Sequence, residues 1–222
     1  MRSARLVVLG IAVAGVVGLV LVAALQRDSL AFTLGVPRAT LVANVGPGRE
    51  VCQRPIDVPA GGAFDRVALG VGTYGRSGSP LQVTVRSAAG STLATGTLAG
   101  GYPDAARRPV EGVRLDREVT ATPIAVCVAN RGGRVVALYG APDLAARGST
   151  AVRGGRPLRT DVSLVFERAP RSVAAEVPRM LARAALFRFP AMGAWAYVVL
   201  ALVLVVAGPL LIARAVTTAE RD

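Results

Sequence analysis

The chain holds no histidine among its 222 residues, which removes the commonest general base and every nucleophile–histidine pairing. A pair of carboxylates can still hydrolyse a glycosidic bond without one. Asp104, Glu111, Asp116 and Glu118 form the densest acidic group. Asp116 and Glu118 alternate with Leu115 and Val119, as solvent-facing strand positions do, so the group reads as a solvated face. A calcium site and glycoside hydrolysis are the rival readings, and no residue is assigned as catalytic. Cys52 and Cys127 are the only cysteines. They form neither a close CxxC pair nor a Cys/His cluster, so neither a metal nor a cofactor is expected. In an oxidising compartment two such cysteines read as a disulfide, closing a long loop and contributing about 4 kcal/mol in the chain-entropy picture. Two unpaired buried thiols are the alternative, and they require a cytoplasmic domain.

The remaining candidates are aromatic and cationic. Tyr74 and Tyr102 lie in the glycine-rich stretches GTYGR and GGYPD, where an aromatic ring has little local core to fill. Loop aromatics of this kind stack on sugars or on partner surfaces. With Arg76, Arg107 and Arg108 beside them they form the best binding candidate; capping of the domain's end is the alternative. A second basic stretch, Ala146 to Arg159, carries Arg147, Arg153, Arg156 and Arg159 among glycines and small polar residues. It reads either as a contact for anionic lipid headgroups or phosphate, or as a solvated hairpin. All 26 basic residues of the chain are arginine and the net charge is +12. A basic surface favours nucleic acid, but the placement of the arginines between two apolar runs argues against that partner.

These groups must be positioned by what lies between the apolar runs. There the pattern is one of short alternating segments separated by glycine, proline and serine, which marks strands and turns. Val67, Leu69 and Val71 alternate with smaller or polar residues, as do Leu81, Val83 and Val85. Similar segments are Thr40 to Val45, Glu50 to Arg54, Thr92 to Leu98, Val113 to Val119, Ile124 to Ala129, Arg134 to Tyr139 and Asp161 to Glu167. About nine short strands without a helix among them predict a mainly β, antiparallel β-sandwich over residues 40–168. The segments Ile124 to Ala129 and Val135 to Tyr139 are apolar on both faces and are expected to be central.

The stretch FDRVALGVGTYGRSGSPLQVTVRSAAGSTLATGTL, Phe64 to Leu98, together with VCQRPIDVPAGG and IAVCVANRGG, resembles jelly-roll ectodomains of bacterial envelope membrane proteins, similar to carbohydrate-binding modules. The resemblance covers about residues 50–140. It implies a jelly-roll-like sandwich and a glycan ligand. Several such modules hold sugar on tryptophan platforms, whereas this domain has no tryptophan.

The apolar runs predict the surroundings of that domain. Leu6 to Leu25 is uninterrupted and long enough for a hydrocarbon core of about 30 Å. Arg2 and Arg5 precede it, so residues 1–5 are placed in the cytoplasm and 6–25 are read as a signal anchor; cleavage after Ala24, with Val22 at the −3 position, is the rival reading. Phe189 to Ala213 carries no charge and predicts a second span over 191–213, with Trp195 and Tyr197 at the membrane interface and 214–222 as a cytoplasmic tail. Residues 26–39 are read as a linker. Within 169–190, Met180, Leu181, Ala184 and Phe187 keep helical spacing between Pro178 and Pro190, while Arg179 and Arg183 lie to one side. That is the pattern of an interfacial amphipathic helix. Gly10, Ala14 and Gly18 recur every four residues and offer a small-residue face for a second helix or a membrane-protein partner. The expectation is a two-pass plasma-membrane protein with both termini cytoplasmic, the lipid bilayer among its partners and the β domain outside. Its expected role is that of a non-enzymatic adaptor recognising a glycan, a lipid-linked intermediate, an anionic lipid or a protein. A structural subunit of a membrane complex and a carboxylate-dependent carbohydrate-active enzyme are the competing readings.

Overall fold

The structure, a computed structural model, describes residues 2–104, 112–142, 148–186 and 194–219. The chain divides into two compact units, one made of Met1–Asp28 with Pro170–Asp222 and the other of Ser29–Ala169. The first holds helices α1 (Arg2–Leu25), α2 (Val173–Leu186) and α3 (Ala194–Ala219). The second is built from strands β1 (Arg27–Thr33), β2 (Thr40–Val45), β3 (Glu50–Ile56), β4 (Phe64–Leu69), β5 (Val71–Gly72), β6 (Leu81–Ser87) and β7 (Thr92–Leu98). It continues with β8 (Val113–Val119), β9 (Ile124–Asn130), β10 (Val136–Pro142), β11 (Thr150–Arg153), β12 (Arg156–Pro157), β13 (Thr160–Val162) and β14 (Leu164–Ser172).

The pairings are antiparallel. One path of strands runs β1-β14-β4-β8-β7-β6-β9-β3-β11-β12, and a second sheet runs β13-β10-β2 with β5 joined to β10. The unit is therefore mainly antiparallel β, consistent with a β-sandwich. Period-two alternation explains the layering: Leu81, Val83 and Val85 of β6 are wholly buried while Gln82 and Arg86 point the other way. The two segments apolar on both faces take central places, β9 between β6 and β3 and β10 between β13 and β2. Between β7 and β8 the ladder narrows to the single pair Gly96↔Leu115. A side chain at Gly96 would run into the Arg114 carbonyl oxygen, so only glycine admits this close approach.

The core gathers Phe64, Leu69, Leu81, Ile124, Leu138, Leu164 and Phe166. Phe32 stacks on Phe166 with ring centroids 4.2 Å apart, and Phe64 meets Phe166 edge to face at 4.8 Å. These rings account for β1, which lies inside the expected linker. Leu30 and Phe32 are too few apolar positions to announce a strand, yet packing the half-buried Phe32 against two distant phenylalanines stabilises one there. Within the segment 150–162, β11 and β12 pair as a hairpin and β13 follows. In the helical unit Pro178 sits inside α2 rather than before it.

The membrane placement is corrected. Among the described residues no helix is long and apolar enough to cross a membrane. A hydrocarbon core of about 30 Å asks for about 20 consecutive apolar residues. The two-pass topology, with both termini cytoplasmic and the β domain held outside, is not upheld, and the interfacial roles assigned to Arg179, Arg183, Phe187, Trp195 and Tyr197 lose their premise. Trp195 is exposed and Tyr197 half-buried. Phe187 lies outside the described residues, as do the side chains of Arg179 and Arg183. Gly10 and Gly18 have open space where a side chain would stand, and Ala14 is exposed, so among the described residues no neighbour closes on that face.

Candidate functional site

The outer face of the sheet carries a cleft of about 1400 Å³. Its floor is set by strand alternation. Val51 and Gln53 of β3 point inward and are buried, which turns Glu50, Cys52 and Arg54 outward. On β9, Ile124 and Val126 point inward and Ala125 and Cys127 outward. Register places Cys52 directly opposite Cys127, and Cys127 opposite Thr84 of β6. Cys52 and Cys127 are joined as a disulfide across the floor, as the two cysteines predict.

Arg86 reaches from β6 across β9 to β3. Its Nη1 and Nη2 donate to Glu50 Oε1 and Oε2 at 3.0 and 2.9 Å, a bidentate pair. Nη1 also lies 3.4 Å from Cys127 Sγ. Glu50, Cys52 and Cys127 thus bring three ligand-type atoms within 4.8 Å of one another. Metal ligation by cysteine needs the thiolate, and in the disulfide form neither sulfur supplies it.

One wall of the cleft is the hairpin of β11 and β12, which hangs from the edge of β3 through Thr150↔Arg54 and Val152↔Cys52. Gly154 and Gly155 turn it with φ of 56° and 80°. Positive φ at both central residues is the two-residue turn whose twist matches paired strands. Arg49, Arg54, Arg153 and Arg156 line the cleft, and Glu50 is its one carboxylate among the described lining residues. Glu50 is already engaged by Arg86. No carboxylate lies within 4 Å of the other four arginines among the described residues.

Tyr74 stands beside the rim. The turn Thr73–Arg76 closes through Arg76 N–H to the Thr73 carbonyl at 3.2 Å, with φ of 57° at Tyr74 and 72° at Gly75. A tyrosine in the left-handed region is strained. The Tyr74 hydroxyl donates to Asn44 Oδ1 at 2.6 Å and the ring stays 55% exposed. Asn44 lines the cleft, and its carbonyl accepts from Arg153 Nη1 at 3.5 Å. Asp104 Oδ2 accepts from Gly75 N–H at 3.0 Å and so braces the same turn.

Tyr102 is placed differently. Its ring packs against the core, its hydroxyl donates to the Ser79 carbonyl at 2.7 Å, and a side chain at Gly78 would collide with it. Burial pushes its phenol up to about 12. Arg76 is exposed, Arg159 is exposed with φ of 54°, and Arg107, Arg108, Glu111 and Arg147 lie outside the described residues. Of the acidic group, Asp116 accepts from Thr95 N–H at 2.9 Å and from the Thr95 hydroxyl at 3.2 Å. Hydrogen bonding from the Thr95 backbone holds its carboxyl below the usual range. Glu118 is exposed.

The structure thus brings Tyr74, Arg153 and Arg156 to one place and leaves Tyr102 in the packing. Arg49, Arg54 and Arg86 were not singled out by sequence, although Glu50, Cys52 and Arg54 alternate with Val51 and Gln53 and so announce a shared outer face. Gln53 was also missed. It is 1% exposed and donates through Nε2 to Asp161 Oδ1 at 2.6 Å and Ser149 Oγ at 2.7 Å, while Oε1 accepts from Val162 N–H at 2.9 Å. This buried network ties β3 to β13 behind the cleft. No protein-family model matches the sequence, and no curated protein matches it.

Proposed function

We propose that the β unit is a jelly-roll-like sandwich that works as a non-enzymatic recognition module, and that the arginine-lined cleft takes an acidic ligand, a glycan carrying anionic groups. The observation behind this reading is the set of four arginines lining one concavity without a carboxylate within 4 Å among the described residues. Guanidinium groups meet carboxylate and phosphate in bidentate fashion, and in a partly enclosed cleft such contacts are screened less by salt than on a flat surface. The jelly-roll assignment draws support from strand neighbours far apart in the chain, such as β3 with β9 and β4 with β14. The non-enzymatic reading draws support from the absence of histidine and from the cleft's single carboxylate among the described residues, which is already paired.

Retention of the full chain on immobilised polygalacturonate and on phosphomannan, with dextran as the neutral control, tests the proposal. Both acidic polymers should retain the protein, rising salt should weaken retention, and Arg49→Gln with Arg54→Gln should cut it about a hundredfold, since each of the two Arg–anion hydrogen-bonded contacts contributes about 1.5 kcal/mol or more. Equal retention on dextran, or no effect of the double substitution, overturns it.

A further inference from the structure

Resting on that reading, we propose that the cleft reads a phosphorylated saccharide, with Arg153 and Arg156 gripping the phosphate and Tyr74 stacking on the sugar. Arg153 and Arg156 are cross-strand partners flanking the Gly154–Gly155 turn. Directly opposed residues of an antiparallel pair point to the same face with Cβ atoms about 4.5–5.5 Å apart, and like charges there are destabilising. Nothing acidic among the described residues relieves this pair. A turn with two glycines holds the two side chains side by side at a fixed spacing, and a phosphate monoester, with a charge of about −1.5 to −2 and three acceptor oxygens, satisfies both guanidinium groups at once. A carboxylate offers two oxygens and one charge, and serves one arginine well.

The second half of the site is the ring. Asn44 joins the two parts, taking Tyr74's hydroxyl on its side-chain oxygen and Arg153's Nη1 on its carbonyl. The left-handed Tyr74 backbone is a cost that burial of its ring does not offset, because the ring is more than half exposed. Strain of this kind gathers at binding sites. The strained turn presents an apolar face beside a pair of cations with no carboxylate partner among the described residues, the complement of a sugar ring bearing a phosphate.

Isothermal titration of the full chain at low salt, with glucose 6-phosphate, glucose, glucuronate and inorganic phosphate as probes, tests the assignment; phosphatidic acid vesicles form the lipid arm. Glucose 6-phosphate should bind about tenfold or more tighter than glucuronate or inorganic phosphate, and glucose should not register. Arg153→Gln with Arg156→Gln should bring glucose 6-phosphate to the glucuronate level, and Tyr74→Ala to the inorganic phosphate level, with thermal unfolding unchanged or raised. Equal binding of glucuronate and glucose 6-phosphate, or an unaffected double-glutamine variant, overturns the clamp. Tighter capture of phosphatidic acid vesicles than of glucose 6-phosphate assigns the phosphate to a lipid and overturns the saccharide. If the acidic polymers are retained while no phosphate probe binds, the clamp falls and the cleft reading stands; if nothing anionic binds, both fall.

Discussion

Reducing the Cys52–Cys127 bond perturbs the β unit without changing any side chain's bulk. The cysteines are 75 residues apart, so the chain-entropy expression, −2.1 − 1.5R ln n, gives a loss of about 15 cal/mol/K, or about 4.5 kcal/mol at 25 °C. Single domains are stable by about 5–15 kcal/mol. Reduction should therefore remove about 30% or more of the total. With a urea dependence of about 2 kcal/mol per molar, the unfolding midpoint should fall by about 2 M. The assay is far-ultraviolet circular dichroism of the oxidised and reduced protein across a urea series, with a thiol titration confirming two released thiols. The native register Cys52↔Cys127 persists through the β3–β9 ladder, whereas the unfolded chain expands once freed of its crosslink, so the dependence on urea should steepen as the midpoint falls. Coinciding midpoints, with both thiols titratable, would refute the reasoning: the reduced chain would then already be restricted without its crosslink.

Two further outcomes follow from side chains already placed. Phe166→Ala removes a wholly buried ring and its contacts with Phe32 and Phe64; truncation costs about 3–5 kcal/mol, and Phe166→Leu should lose distinctly less in the same urea series. Tyr102 should titrate near 12 in ultraviolet difference spectra. Its folded value exceeds the ordinary 10.0, so its contribution to stability is complete below pH 10 and is lost as pH rises through 12; a phenol titrating at 10 in the folded chain contradicts its placement in the packing.

Period-two alternation made the β architecture legible. Leu81, Val83 and Val85 declare their buried face residue by residue, and the doubly apolar strands β9 and β10 declare central positions. The disulfide was legible too, because two cysteines allow one intramolecular pairing. The cleft was not, since it depends on which strands become neighbours: Glu50 and Arg86 meet across β9 only after β3 and β6 have paired to its two edges, and nothing in either segment specifies the other. Tyr74 and Tyr102 looked equivalent in sequence, both in glycine-rich turns. Gly78 separates them, leaving a hollow that the Tyr102 ring fills, whereas Tyr74 bonds Asn44 through its hydroxyl and leaves its ring exposed. The strand β1 was hidden because its stacking partner lies on β14, at the far end of the domain.

The position of β3 between β9 and β11 carries a consequence for synthesis of the chain. Both neighbours of β3 come later in the sequence, and Cys127 follows Cys52 by 75 residues. At about 5–20 residues per second, β3 waits roughly 4–15 s before its first flanking strand has been made. Through that interval both of its edges are open, with Val51 and Ile56 uncovered. An unpaired apolar strand is the usual nucleus of intermolecular pairing. Glu50 and Arg54, placed on β3 where the finished cleft uses them, also put charges near both ends of the waiting segment, the position from which a gatekeeper residue opposes aggregation.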